Sequence, residues 1–281
     1  MIKIIDHQLA QTSIDLLQSL QSLVNLKSGY AEQVIEAKFL WDSKTSTSAK
    51  SAAFGAIRST LASMCTGSVR CGYCEDSAAD EIEHIRPKSI FPENTFQWTN
   101  YLYTCGSCNV SKSNRVAIIT DGILREFSRA RTGPSVRPPL GEFAMINPRN
   151  ENPFDLLELD MVSVNADKML CEGTFYLVPA SGLSILDEAR AKFTIEVLDL
   201  NREVISVARR NAFSGFRARL HEYVEHRGKD EEAFDLNRFK EDLLKTPHLT
   251  VFLEMRRQRE FLPNINSYFK RAPETIELLL N

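Results

Sequence analysis

The chain has 281 residues, with 34 Lys and Arg against 37 Asp and Glu and a formal net charge of -3. Hydrophobic residues make up 43% and charged residues 25%, ordinary globular composition with enough apolar material for a sizeable core. That balance excludes a protein that binds nucleic acid by bulk positive charge; any such contact must come from a local patch.

In chain order, the opening MIKIIDHQLAQ has no long apolar run and no small-residue cleavage site, so no signal peptide is expected. No segment approaches about 18 uninterrupted apolar residues, so no membrane span is expected either. The expected location is the cytoplasm, where thiols stay reduced and clustered cysteines favour metal over disulfides. Residues 1–66 read as helical. Leu9, Ile14, Leu16, Leu17, Leu20, Leu23 and Val24 recur at helical spacing over 6–27. Further helices are predicted over 30–41 and 52–65, with a small polar loop at 45–49.

Residues 67–120 change character: cysteines, aromatics, asparagines and turn residues crowd together with no long helical period. Residues 121–184 read as a Pro-rich linker followed by irregular and strand structure. RTGPSVRPPL at 131–140 carries three prolines and a glycine, AMINPRNENPF adds turn signals, and TFYLV at 174–178 reads as a short strand. Residues 185–281 return to helical period. Leu186, Ala189, Phe193, Val197 and Leu200 form one stripe, and Val204, Val207, Phe213, Phe216 and Leu220 another. Helices are predicted around 231–245, 248–261 and 266–280. The fold class is therefore mainly α with a small cysteine-rich insert. No G-x-x-x-x-G-K-[ST] is present, so the chain is not itself a P-loop ATPase.

Six cysteines are present, and four form two C-x-x-C pairs, Cys71/Cys74 and Cys105/Cys108. Each such turn brings two sulfurs to one metal, and two turns complete a zinc tetrahedron. The 30 residues between Cys74 and Cys105 exceed the usual ribbon spacing of about 15–20, so a small element is inserted there. A redox dithiol needs a strand before and a long helix after the motif, which CGYCEDSA lacks. Cys65 and Cys171 stand apart and read as small buried hydrophobes.

The insert contains EIEHIRPKS. The residues run C71-x-x-C74, EIEH84-x-x-P, then N100-x-x-x-x-C105-x-x-C108-N109-x-x-K112. This order resembles the HNH nuclease family in its zinc-knuckled ββα-metal form, in which a hairpin and a helix clasp a divalent cation. Two departures stand out: Glu83 where aspartate is common, and Asn109 at the final histidine position. The resemblance implies structural Zn²⁺ on Cys71, Cys74, Cys105 and Cys108. It makes His84 the base that activates water; an unperturbed imidazole near pKa 6.5 suits that task. Glu83 and Asn109 would hold the catalytic metal, and an amide oxygen suits Mg²⁺ or Mn²⁺ better than zinc. Asn100 would hold the loop and His84 by hydrogen bonds. Glu81 shares a strand face with Glu83 and is left open between metal ligand and solvated carboxylate. Glu83 and His84, as strand neighbours, can serve one site only if the strand ends or bends there, and Pro87 favours an end.

Lys112, Arg86, Lys88 and Arg115 are the candidate phosphate contacts. Arg125, Arg129, Arg131 and Arg137 add a local cationic excess. Over about 65–215 the resemblance narrows, through CGYCE, IEHIRPKS, MINPRNENP and TIEVLDLNREVISVAR, to the HNH subunits of Septu anti-phage systems. These are the PtuB-like proteins, which also occur with retrons. It implies nucleic acid as substrate, DNA first and RNA second, and an ABC/AAA-type ATPase (PtuA-like) as partner. The alternative from another class is a catalytically inactive zinc-stapled module that binds protein or nucleic acid.

Overall fold

Three helices open the chain: α1 (Gln11–Asn25), α2 (Tyr30–Asp42) and α3 (Ser48–Ser63). Local chemistry sets their starts. The Glu32 carboxylate accepts from the Gly29 amide ahead of α2, and Thr47 Oγ1 accepts from the Lys50 amide in α3. Leu17, Leu20 and Val24 of α1, Val34, Ala37, Leu40 and Trp41 of α2, and Phe54, Ile57 and Leu61 of α3 are buried at three- and four-residue spacing. This computed structural model describes residues 1–129, 133–164, 170–227 and 236–278.

β1 (Glu81–His84) then pairs antiparallel with β2 (Tyr101–Thr104), Glu81 opposite Thr104 and His84 opposite Tyr101. α4 (Gly106–Lys112) follows β2 directly. The connection over 85–100 holds two 3-10 turns, Pro92–Asn94 and Trp98–Asn100. Arg149, from the INPRNENP stretch, braces that connection. Its guanidinium donates to the Trp98 and Tyr101 carbonyls, lies 4.6 Å from the Trp98 ring centroid and pairs with Asp6.

The segment read as linker carries more strand than expected. β3 (Val116–Thr120) and β4 (Ile123–Phe127) form a hairpin that spans the boundary expected after residue 120. Asp121 and Gly122, at φ 52 and 72, make its two-residue turn; both must be left-handed, which Asp-Gly tolerates. β5 (Glu142–Phe143) pairs with the other edge of β3, β6 (Leu157–Leu159) pairs with β9 (Leu177–Pro179), and β7 (Val162–Val164) with β8 (Leu170–Glu172). The strand expected at 174–178 starts only at Leu177. Thr174 is drawn to the Asp160 carboxylate, and Phe175 takes a positive φ of 60, which breaks an extended run.

α5 (Ile185–Val197), α6 (Glu203–His226), α7 (Leu236–Lys245), α8 (Leu249–Arg257) and α9 (Pro263–Arg271) complete the chain. The helix expected over 248–261 stops at Arg257 and a 3-10 turn covers Arg259–Phe261. The one expected over 266–280 ends at Arg271, before Pro273. Arg131 and residues 231–235 and 279–281 lie outside the described residues. About half of the described residues are helical. One apolar cluster links Leu17, Trp41, Ile57, Cys71, Leu102, Phe193, Phe216 and Phe269, so helices from both ends of the chain pack around β1 and β2. Two polar ties reinforce this: the Thr250 amide donates to Glu75 Oε1 at 3.1 Å, and His248 Nε2 lies 3.1 Å from Asp76 Oδ1. Among the described residues no helix is long and apolar enough to cross a membrane.

Candidate active site

The four cysteines of the two C-x-x-C pairs converge. Cys71, Cys74, Cys105 and Cys108 are buried, none is in a disulfide, and their sulfurs lie within 4.8 Å of one another. A tetrahedron with metal–sulfur bonds of about 2.3 Å has sulfur–sulfur edges of about 3.8 Å. The Cys74 and Cys105 sulfurs stand 3.9 Å apart, close to that edge and far from a disulfide of about 2.05 Å. The donor set and spacing fit a zinc ion. Cys65 lies apart, its thiol against the Leu61 and Arg70 carbonyls. The Cys171 side chain lies outside what the structure describes.

β1 runs from this cluster to a cleft of about 780 Å³ between α2 and α4. Val34, Lys38 and Asp42 line it from α2, Asn109, Val110 and Lys112 from α4, and Glu83, His84 and Lys88 from β1 and its continuation. Strand neighbours point to opposite faces, yet both Glu83 and His84 border this cleft. Glu83 turns toward α4 and meets Lys112; His84 turns toward α2 and meets Trp41. The strand ends at His84, so the cleft opens off its tip and receives both side chains.

His84 is held on three sides. Its ring lies 4.2 Å from Trp41 and 5.3 Å from Tyr101, centroid to centroid, and Nε2 sits 3.0 Å from the Thr95 carbonyl. A carbonyl only accepts, so Nε2 carries the proton and Nδ1 keeps its lone pair. Nδ1 makes no hydrogen bond to a described residue. Burial, then the positive charges of Lys88, Lys112 and Lys44, push the imidazole well below its ordinary value, although the Thr95 carbonyl opposes this. Burial and the neighbouring cations thus favour the neutral imidazole.

Glu83 and Lys112 form a buried ion pair. Lys112 is 0% exposed, and its ammonium donates to Glu83 Oε1 and, at 2.8 Å, to the His84 carbonyl. Burial raises the Glu83 carboxyl despite that cation. Lys112, expected at a phosphate, is thus committed to the site's own carboxylate instead, since an ammonium with no solvent contact needs protein acceptors. Asn109 donates Nδ2 to Glu81 Oε2, which orients the amide, and Oδ1 accepts no hydrogen bond from a described residue. Glu81 therefore acts on Asn109 in this structure.

The remaining expected residues divide. Lys88 borders the cleft, makes no hydrogen bond to a described residue and stands 5.6 Å from the Trp41 ring centroid. Burial first lowers its ammonium pKa, while Glu83 and Asp42 oppose. Arg115 also borders the cleft but pairs with Glu196 at 2.6 Å and Glu126 at 3.1 Å. Asn100 does not face the cleft with His84. Its Oδ1 accepts from the Arg86 amide at 2.8 Å, and Nδ2 donates to the Arg86 and Asn94 carbonyls at 3.0 and 2.8 Å, closing the 85–100 connection on itself. Arg86 lines a neighbouring polar pocket of about 370 Å³ with its guanidinium over Phe91 and Phe143. Trp41 was not among the sequence candidates; a tryptophan at a helical core position carries no local sign of which side chain it will meet.

A family model for HNH endonuclease matches residues 71–115. That span contains both cysteine pairs, Glu83, His84, Asn100, Asn109, Lys112 and Arg115. No curated protein and no solved structure matches the chain. The segment 71–115 is thus of HNH type, a family of nucleases, and its four buried cysteines could hold a zinc ion.

Proposed function

We propose that this chain is a metal-dependent HNH endonuclease that hydrolyses phosphodiester bonds in nucleic acid, DNA in the first instance. The observation that carries this reading is His84, its Nε2 held at the Thr95 carbonyl and Nδ1 left as acceptor, at a cleft that also receives Glu83 and Asn109 within an HNH-type segment. His84 takes the proton of the attacking water at Nδ1. The Thr95 carbonyl holds the ring and stabilises the charge that the imidazole gains. Asn100 keeps the 85–100 connection folded so that Thr95 stays in place. Glu83 and Asn109 offer a carboxylate and an amide oxygen to a magnesium or manganese ion, with Lys112 and Glu81 orienting them. Bound there, the ion supplies charge stabilisation to the scissile phosphate and the leaving oxygen. Among the described residues that line the cleft, Lys88 is a cation with no hydrogen bond or ion pair, and it would meet the phosphate backbone.

The order β1, β2, α4 supports reading this segment as a ββα-metal unit. The resemblance to Septu nuclease subunits supports a further reading as the effector of a bacterial anti-phage system restrained by an ABC/AAA-type ATPase. Retrieval of such an ATPase with the chain from its native host tests that assignment separately.

The test of the activity is plasmid cleavage with Mg²⁺ or Mn²⁺ by wild type and His84→Ala. Loss of a general base lowers the rate by about 10²- to 10⁴-fold. Equal cutting by the folded variant rejects His84 as the base. No divalent-dependent cutting by wild type of either DNA or RNA leaves the zinc-stapled binding module.

A further inference from the structure

A zinc ion on four thiolates leaves two net negative charges in a buried site, and such charge needs a counter-charge or donors close by. Glu75 and Asp76, which follow Cys74, are negative themselves and are spent on Thr250 and His248. Lys112 is committed to Glu83. The cation that reaches a sulfur among the described residues is Arg202. Both terminal nitrogens of its guanidinium lie 3.9 Å from Cys108 Sγ, and Nη1 is anchored on the Asp199 carbonyl at 2.9 Å. Arg202 stands at the junction of α5 and α6, far along the chain from the span matched by the HNH model.

The surroundings make this an aimed contact. α5 docks against α4, the helix that carries Cys108: Ser111 Oγ donates to the Val197 carbonyl at 3.2 Å, and Arg115 pairs with Glu196. The turn after α5 puts Asp199 in the left-handed region at φ 48, and Arg202 follows three residues later. One heptad on, Arg209 is 2% exposed on the same face of α6, tied to the Phe175 carbonyl and Asn201 Oδ1 at 3.2 Å each. Arg202, capping α6, thus reaches the cluster, and the charge of Arg209 interacts with Glu75, Cys74 and Asp76 beside it.

We propose that Arg202 is the counter-cation of the four-cysteine metal site, its fork neutralising the thiolate of Cys108 and thereby fastening the α5–α6 junction to the zinc-bound knuckle. The inference rests on zinc filling the cysteine cluster and is independent of the nuclease reading. Partners of metal ligands commonly change metal affinity by about 10- to 100-fold when removed.

The test uses the full chain and measures zinc content by elemental analysis and zinc release into a chromogenic chelator. Wild type holds one zinc per chain. Arg202→Gln releases it about tenfold faster. Arg202→Lys, which keeps the charge and loses the two-pronged geometry, falls between the two. Glu196→Gln, which removes an ion pair from the same interface without touching sulfur, releases zinc at the wild-type rate. Wild-type release from Arg202→Gln overturns the proposal, as does equal acceleration by Glu196→Gln, which would make Arg202 an ordinary docking contact. If Arg202→Gln is not recovered folded, Arg202→Lys decides, and release from it at the wild-type rate overturns the proposal. Wild type without zinc removes the site itself and the inference with it.

Discussion

His84 illustrates how burial prepares a residue. The same aromatic walls and lysines that hold its ring favour the neutral imidazole, so a base at this position would need no prior loss of a proton. Stability carries the sign of that shift. An unfolded histidine titrates near about pH 6.5, and the folded one lower. Between those values the unfolded chain binds more protons, so stability is complete above about pH 6.5 and falls as pH drops through the window. His84→Gln can keep a donor to the Thr95 carbonyl and removes the titration. Unfolding free energies from denaturant titrations, followed from neutral pH into acid, are expected to fall more steeply for wild type than for this variant, by at most about 1.4 kcal/mol per pH unit. Parallel curves would mean that His84 is not held neutral by the fold. The histidine, its preceding glutamate and the asparagines were legible in the sequence because their order is local. The burial of Lys112 was not: periodicity places a residue on a helix face but cannot say that the facing strand offers a carboxylate.

At the scale of elements, α2 closes the cleft. The HNH-type segment supplies β1, β2 and α4, but Trp41, from outside it, touches the His84 ring and has Lys44 and Lys88 at 4.7 and 5.6 Å from its own centroid. Trp41→Ala leaves a cavity that costs about 3–5 kcal/mol and frees the imidazole on one side. We expect this variant, assayed where it remains folded, to lose cleavage that Trp41→Phe largely retains, because phenylalanine still offers a ring to His84. Wild-type rates from folded Trp41→Ala would reduce α2 to a passive wall. The helix itself was readable from its period, as was α1. Asp121-Gly122 signals the β3–β4 turn, but the pair stands out little beside the proline and arginine residues that follow. The short pairs β6–β9 and β7–β8 left little trace, since three residues are too few to show an alternation.

For the whole molecule, the four clustered cysteines, which could hold a zinc ion, belong to the same apolar cluster as the terminal helices. Removing the metal should therefore weaken the chain as a unit. Cys105→Ser is expected to shift one cooperative thermal transition, followed by circular dichroism, downward by more than about 5 °C. An early separate transition, with the bulk of the helices melting at the wild-type temperature, would instead show the knuckle to be an independent module.

The sequence by itself determined the spacing of the two C-x-x-C pairs, the Glu83-His84 dipeptide ahead of Pro87, the downstream asparagines and the phases of the long helices. Each of these is written in residues close along the chain or in a short ordered motif. Only the tertiary structure decided that Trp41 backs the histidine, that Lys112 neutralises Glu83, that Arg149 braces the connection before β2 and that Arg202 reaches a sulfur. Those contacts join residues from distant segments, and which side chains meet there is set by how the helices pack around β1 and β2, a quantity that no local pattern encodes.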